Sequence, residues 1–545
     1  MRELLTEHLG EIALLIYILY PLVKRWRDRQ KKKREQAGTA QETTARAPAR
    51  KEPQRSPPSG QPRREPPPKP RREPAVAKRP TEHDFAAAAI AQLDRLKLEA
   101  SRLLARAESD PRLARLVPAL REDLLGRLDM IDRSLKSSPT LSTIVQETTV
   151  LRGLDALLRY LKTMVQQRMY GRSSFVGDAD AMADACYAPI LEFARAQGLD
   201  LRTSQPVVVT GDWDLSIVPR FASTRVAPLR LPVGFEHSLW HWPAIAHEVA
   251  HDFYYSLEPL DRELHTRLRL PHEVDLPLSP EELDGAWLRR LFGAWLPEVF
   301  ADVMGTITLG PAYVETMRRA FRNPSSPQRT AAILQDNALI DEHPPARLRL
   351  YLATRVLHHL GRHKESDALW EQWEAEHADV RLYYLPLGGQ WVGLADEALH
   401  SIADSFVDEL VQSPWPELEG FHLRDIPGLA YLHAEHAEVG RLSRDLAQGE
   451  TVDADVRWIM AAAVLAAAAQ PTLHDQILDA ARRSIVGVGR EAEQAAPSRR
   501  ETSGNIGETL VASLRQPYAL REAIILGAAF TPYTRPRWHR RWHRR

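Results

Sequence analysis

Apolar residues recur at three- and four-residue spacing, with charges between them, over Phe85–Ala107, Leu113–Leu135 and Leu141–Arg168; Leu93, Leu96, Leu98, Leu103 and Leu104 are examples. That period lines apolar side chains along one helix face. The three segments therefore predict an antiparallel hairpin or bundle of long amphipathic helices. No residue in them suggests catalysis, and oligomerisation, covering of a cleft and simple packing are equally open roles. The pattern changes near Gly171. Ala179–Gln197 predicts a helix closed by Gly198, and Pro206–Thr210 and Arg225–Leu231 predict strands. Pro228 lies inside the second strand and cannot donate to a central ladder, which favours an edge position for it. Past Leu360 the helical period returns, through Trp391–Val411, Asp453–Ala469 and Leu473–Val486 to about Phe530. The alanine-rich run Trp458–Ala468 is too short to span a bilayer and reads as a buried core helix.

The two ends of the chain follow other patterns. Leu4–Val23 is mostly apolar and, as a helix of about twenty residues, would reach across roughly 30 Å of hydrocarbon. Glu7, His8 and Glu11 interrupt its first half, so it either spans the bilayer or lies in the interface. The basic run Lys24–Arg34 follows directly, with Trp26 at anchoring depth. Charge on that side predicts a single-pass membrane protein with everything C-terminal to the anchor in the cytoplasm. From Gln36 to about Thr81 the composition collapses to Pro, Arg, Lys, Glu, Gln, Ser and Thr, the signature of a disordered tether with polyproline character. Arg535–Arg545 is a basic aromatic tail able to touch phosphates or a membrane.

Composition changes this picture little. Lys plus Arg and Asp plus Glu number 72 each in 545 residues, so no global attraction to nucleic acid is implied. A nucleic-acid role through the two basic ends is disfavoured further, because the predicted globular part has no basic aromatic platform. A single cysteine, Cys186, rules out an internal disulfide framework and reads as a small core residue.

The candidate chemistry sits in Trp242–Tyr255, which contains His247-Glu248-Val249-Ala250-His251. On a helix the two histidines are one turn apart on the same face and both imidazoles can reach one ion. Glu248 follows the first histidine, so its carboxylate can lie beside a metal-bound water without ligating the metal. Pro243 suits a first helical turn, and Ala244, Ile245, Ala246, Val249 and Ala250 allow the helix to be buried. Two histidines on such a helix are costly to bury unless something satisfies their nitrogens. Trp240 and Trp242 either line a cleft or pack in the core. A glycine three residues after His251 with a further histidine beyond would mark a metzincin; Tyr254 and Leu257 occupy those places and exclude that class. Later, in Trp295–Gly305, Glu298 and Asp302 stand at i and i+4 behind Pro297, which can open a helix. Further on, Asp341–Arg349 carries His343-Pro344-Pro345 and Arg349. His265, His272 and Glu273, in the polar excursion Leu257–Leu288, are alternative third ligands. A loop of that length beside a metal would also be able to gate entry.

Taken in order, these motifs resemble those of the gluzincin zinc metallopeptidases, and the E-x-x-A-D form at Glu298 is similar to the version in the M48 group. The resemblance covers only the motif region and implies no substrate. It implies Zn²⁺ held by His247, His251 and Glu298, with Glu248 as general base. By the same resemblance Asp302 is the carboxylate that orients one ligand histidine, His343 a donor to the oxyanion, and Arg349 a support or second cation. His343-Pro344-Pro345 also suits an ordinary helix cap. The fold expected is α+β and predominantly helical, with a gluzincin-like core of small sheet, active-site helix and third-ligand helix flanked by helical regions. The domain reading is 1–35 anchor, 36–82 linker, 83–170 helical bundle, 171–362 metallopeptidase-like domain, 363–530 helical domain and 531–545 basic tail. The function expected is a membrane-anchored zinc peptidase acting on a peptide or protein substrate. The competing reading is a membrane-tethered helical interaction protein with a structural or vestigial metal site.

Overall fold

The apolar stripes decide which elements meet. A computed structural model of the chain describes residues 81–137, 140–169, 174–199, 201, 206–211, 215–217, 226–270, 285–322, 334–335, 339–340, 343–377, 382–387 and 390–495. Helix α1 (Glu82–Ala107) starts at Thr81, whose hydroxyl accepts the Asp84 amide while the Asp84 carboxylate accepts the Thr81 amide. Two donors at the helix start are thereby satisfied. Its buried residues, among them Ala89, Leu93, Leu96, Ala100 and Leu103, step by three and four. That stripe packs on α2 (Val117–Lys136) and α3 (Leu141–Met169). The segment predicted as one helix over Leu113–Leu135 is instead divided between a turn at Pro111–Ala114 and α2. Pro118 explains the division, since proline fits a first turn and breaks an interior.

Beyond α3 come α4 (Ser174–Gln197) and a three-stranded mixed sheet of β1 (Val207–Gly211), β2 (Ser216–Ile217) and β3 (Pro228–Pro232). Gly198 follows α4 in the left-handed region at φ 70°, where the sequence placed the helix stop. The strand order is β1-β3-β2, with β3 parallel to β1 and antiparallel to β2. The expected edge position of Arg225–Leu231 is therefore corrected: β3 is central and β2 is an edge. Pro228 is tolerated because it is the first residue of its strand, a place where a missing donor costs little. Side chains alternate across the sheet. Val207, Val209 and Val226 join the core of α1–α3, whereas Val208, Leu229 and Leu231 join the core built from the later helices. The outer edge of β1 is closed by side chains. Val208 N–H donates to Asp180 at 2.8 Å, Val208 C=O accepts from Arg168 at 3.2 Å, and the Gln167 amide bonds both backbone groups of Thr210.

The later helices form one apolar core that runs from Phe175 to Ile485. Within it α5 (Ala244–Ser256) lies against α7 (Gly285–Leu309), with α6 (Glu258–Arg267), α8 (Pro311–Ala320) and α9 (Ala346–His359) around them. α7 is buried nearly all round, as Phe292, Trp295, Leu296, Val299, Phe300, Val303 and Ile307 show. Pro297, expected to open a helix, lies inside α7. An interior proline costs about 3 kcal/mol; burial of each large apolar side chain around it returns about 1.5–3 kcal/mol, and the helix continues. The C-terminal part contains α10 (His363–Glu376), the antiparallel pair β4 (Leu382–Leu387) and β5 (Gln390–Ala395), then α11 (Asp396–Gln412), α12 (His433–Ala447), α13 (Val456–Ala469) and α14 (His474–Ala495). The helix expected over Trp391–Val411 starts only at Asp396, because Gln390–Ala395 pairs antiparallel with Leu382–Leu387. α13 is the buried alanine-rich helix that its composition suggested. Cys186 is buried and its thiol is pushed up to about 12 by burial, which makes it an inert core residue.

The single-pass membrane placement is corrected. Among the described residues no helix is long and apolar enough to cross a membrane. The stretch on which that expectation rested, Leu4–Val23, lies outside the described residues, as do most of the linker and the basic tail at 531–545.

Candidate metal centre

Helix α5 carries His247 and His251 at i and i+4, which turns both imidazoles toward α7. Their rings stand nearly perpendicular, at 88°, with centroids 4.6 Å apart. α7 brings Glu298 opposite them. Its Oε2 is 3.3 Å from His247 Nε2, its Oε1 is 3.2 Å from His251 Nε2, and the two Nε2 atoms are 3.0 Å apart. Four ligands about 2.0–2.2 Å from a tetrahedral ion sit roughly 3.3–3.5 Å from one another. The two imidazole nitrogens and the Glu298 carboxylate thus outline one face of such a site with only slight crowding. The donor chemistry also fits: Glu298 Oε2 is buried and, among the described residues, has ion-pair contacts at 3.3 Å to His247 and Arg349 but no hydrogen bond, so it keeps capacity for a metal ion. His247, His251 and Glu298 form a buried group that can hold a metal ion.

A second layer of contacts fixes these ligands. His247 Nδ1 lies 3.0 Å from Asp302 Oδ1 and 3.0 Å from the Tyr313 hydroxyl, which itself donates to Asp302 Oδ1 at 2.7 Å. Arg349, from α9, grips Asp302 with two bonds of 2.7 and 2.8 Å and also approaches Glu298 Oε2 at 3.3 Å. A bidentate fork of this kind fixes orientation as well as charge. Glu298 and Asp302 together against one guanidinium leave a net negative charge facing the imidazoles. Burial opposes every charge here, but the partners win. Burial would keep Asp302 protonated, yet Arg349 and His247 hold it down to about 2. Glu298 resists burial in the same way through His251, His247 and Arg349, and stays well below the usual carboxylate range. Burial would keep His247 neutral, and Asp302 and Glu298 raise it to about 10, so a metal must displace a proton to bind. Tyr313 is pushed well above the ordinary phenol by burial and by Asp302, and remains protonated.

Glu248 is buried, and its Oε2 accepts the Ile217 N–H of β2 at 2.7 Å. His343 reaches the rim of the group, its Nε2 3.5 Å from Glu298 Oε1, and its side chain is 42% exposed. All seven residues singled out in the sequence thus gather around α5 and α7. The alternative ligands do not join them: His265 lies on α6, 3.5 Å from Asp261, outside the cluster, and His272 and Glu273 fall outside the described residues. Trp242 is fully buried and belongs to the core. Sequence reasoning missed Tyr313 and the Ile217 amide. Gly310-Pro311, which ends α7 and starts α8, was the available hint that the chain doubles back toward the site. No family model matches this chain, and neither a curated protein nor a solved structure does.

Proposed function

We propose that the chain is a zinc-dependent peptidase with a gluzincin-like core. The observation that supports this most is the convergence of His247 Nε2, His251 Nε2 and Glu298 within 3.0–3.3 Å, with Glu248 next to a ligand on the same helix. Two neutral nitrogens and one carboxylate favour Zn²⁺ and leave its remaining position for water and substrate. When bound, the ion supplies Lewis acidity toward that water and toward the scissile carbonyl. Glu248 is the general base: Ile217 N–H holds one carboxylate oxygen, and the other takes the water's proton and later hands it to the leaving amine. His343, at the exposed rim, donates to the oxygen on which negative charge develops.

Glu248→Gln tests this reading. The amide oxygen still accepts the Ile217 N–H but cannot take a proton, so the variant is expected to keep one equivalent of Zn²⁺ and to lose turnover of a quenched peptide library by a factor of at least about a hundred. His247→Ala is expected to lose the metal itself. Glu248→Gln that cleaves as fast as wild type removes the general base and with it the proposal. A full chain that binds zinc tightly and turns over no peptide points instead to an interaction protein with a structural ion.

A further inference from the structure

Tyr313 has one hydroxyl proton and two neighbours within hydrogen-bond distance, Asp302 Oδ1 at 2.7 Å and His247 Nδ1 at 3.0 Å. The carboxylate is an acceptor only, and it is the closer of the two. The hydroxyl therefore donates to Asp302 and turns a lone pair toward His247. His247 Nδ1 then carries its proton, which it shares between the Tyr313 oxygen and Asp302 Oδ1. With Nδ1 keeping its proton toward Tyr313 and Asp302, Nε2, beside Glu298, is the nitrogen that gives up its proton when a metal binds. The Tyr313 ring runs almost parallel to the imidazole, at 13°, and is 2% exposed, so it cannot swing out to solvent. Its space is made by Gly305, one turn beyond Asp302 on α7. A Cβ at that position would stand 2.7 Å from two carbons of the Tyr313 ring, closer than atoms can pack.

We infer that Tyr313, seated against Gly305, is a positioning residue that locks the tautomer and ring orientation of the metal ligand His247. This rests on the metal centre described above, and it adds a phenol to the carboxylate that the sequence motifs foresaw for this task. The phenol limits how much charge Asp302 can press onto the imidazole, since one lobe of Oδ1 is already engaged.

The experiment uses the full chain and Zn²⁺ alone, with two readouts: competitive titration against a chromophoric chelator, and the Nδ1–H resonance of His247 in protein with isotope-labelled histidine. Tyr313→Phe is expected to weaken zinc binding about tenfold, the low end for loss of an outer partner of a metal ligand. It is also expected to shift the His247 Nδ1–H resonance, in zinc-loaded and metal-free protein alike, with little change in the melting temperature of the metal-free form. Gly305→Ala keeps the hydroxyl but crowds the ring, and should weaken zinc binding to a similar degree. Zinc affinity and resonance both unchanged in Tyr313→Phe overturn the inference, and so does a loss confined to Gly305→Ala, which would assign the effect to packing alone. Wild-type protein that binds no zinc overturns the peptidase reading separately; the resonance of metal-free His247 still decides the role of Tyr313.

Discussion

Arg349 bonds Asp302 through two nitrogens and stands 3.3 Å from Glu298 Oε2. Replacing it by methionine preserves bulk but leaves two buried carboxylates facing each other across His247. Loss of one partner from such a group costs about 3–5 kcal/mol, and the melting temperature of Arg349→Met is expected to fall accordingly. A variant as stable as wild type would mean that solvent reaches Asp302. At this scale the sequence was informative where chemistry repeats at fixed intervals. The four-residue steps from His247 to His251 and from Glu298 to Asp302 each put two groups on one helix face, and both pairs face the same locus. Tyr313 escaped notice because its role comes from a reversal of the chain at Gly310, where φ is 57° and an added side chain would overlap the Tyr431 ring. No local period encodes that return.

Among the elements, the amphipathic helices were the most legible, since the burial of α1, α2 and α3 follows their leucine spacing, except at Leu98, which is exposed because it lies off the stripe of Leu93, Leu96 and Leu103. Prolines misled in both directions. Pro297 lies within a helix because packing of the neighbouring residues outweighs the local preference, and Pro228 belongs to a central strand because it is that strand's first residue. The shortest strand was invisible. β2 has two residues, and it is held by its register to β3, by the Arg230 bond to Ser216 at 2.9 Å, and by the Glu248 carboxylate. Glu248→Ala strands the buried Ile217 N–H, a loss worth about 1–3 kcal/mol. Amide hydrogen exchange at Ile217 is expected to quicken roughly tenfold or more in that variant, with little change across α1–α3. Equal protection in both proteins would show that β2 stands without Glu248.

On the scale of the whole molecule, the sheet is covered on both faces, by α1–α3 on one and by the large helical core on the other. Sequence patterns identified the bundle and the strands β1 and β3 but not that they complete a common interior, because alternation within Val207, Val208 and Val209 is hidden in a run of identical residues. A fragment that starts at Gly171 lacks α1–α3, and with them Gln167 and Arg168. Val207, Val209 and Val226 would then face water, and the Thr210 backbone would lose both of its bonds to the Gln167 side chain. Unpaired strand edges recruit other chains, so the fragment is expected to self-associate in sedimentation or light scattering where the full chain does not. A monodisperse fragment would show that the helices are dispensable to the sheet. The consequence for handling this protein is practical: the trimmed piece that sequence boundaries invite would carry a sticky flank of its own making, and aggregation seen there would report the cut and not the intact chain.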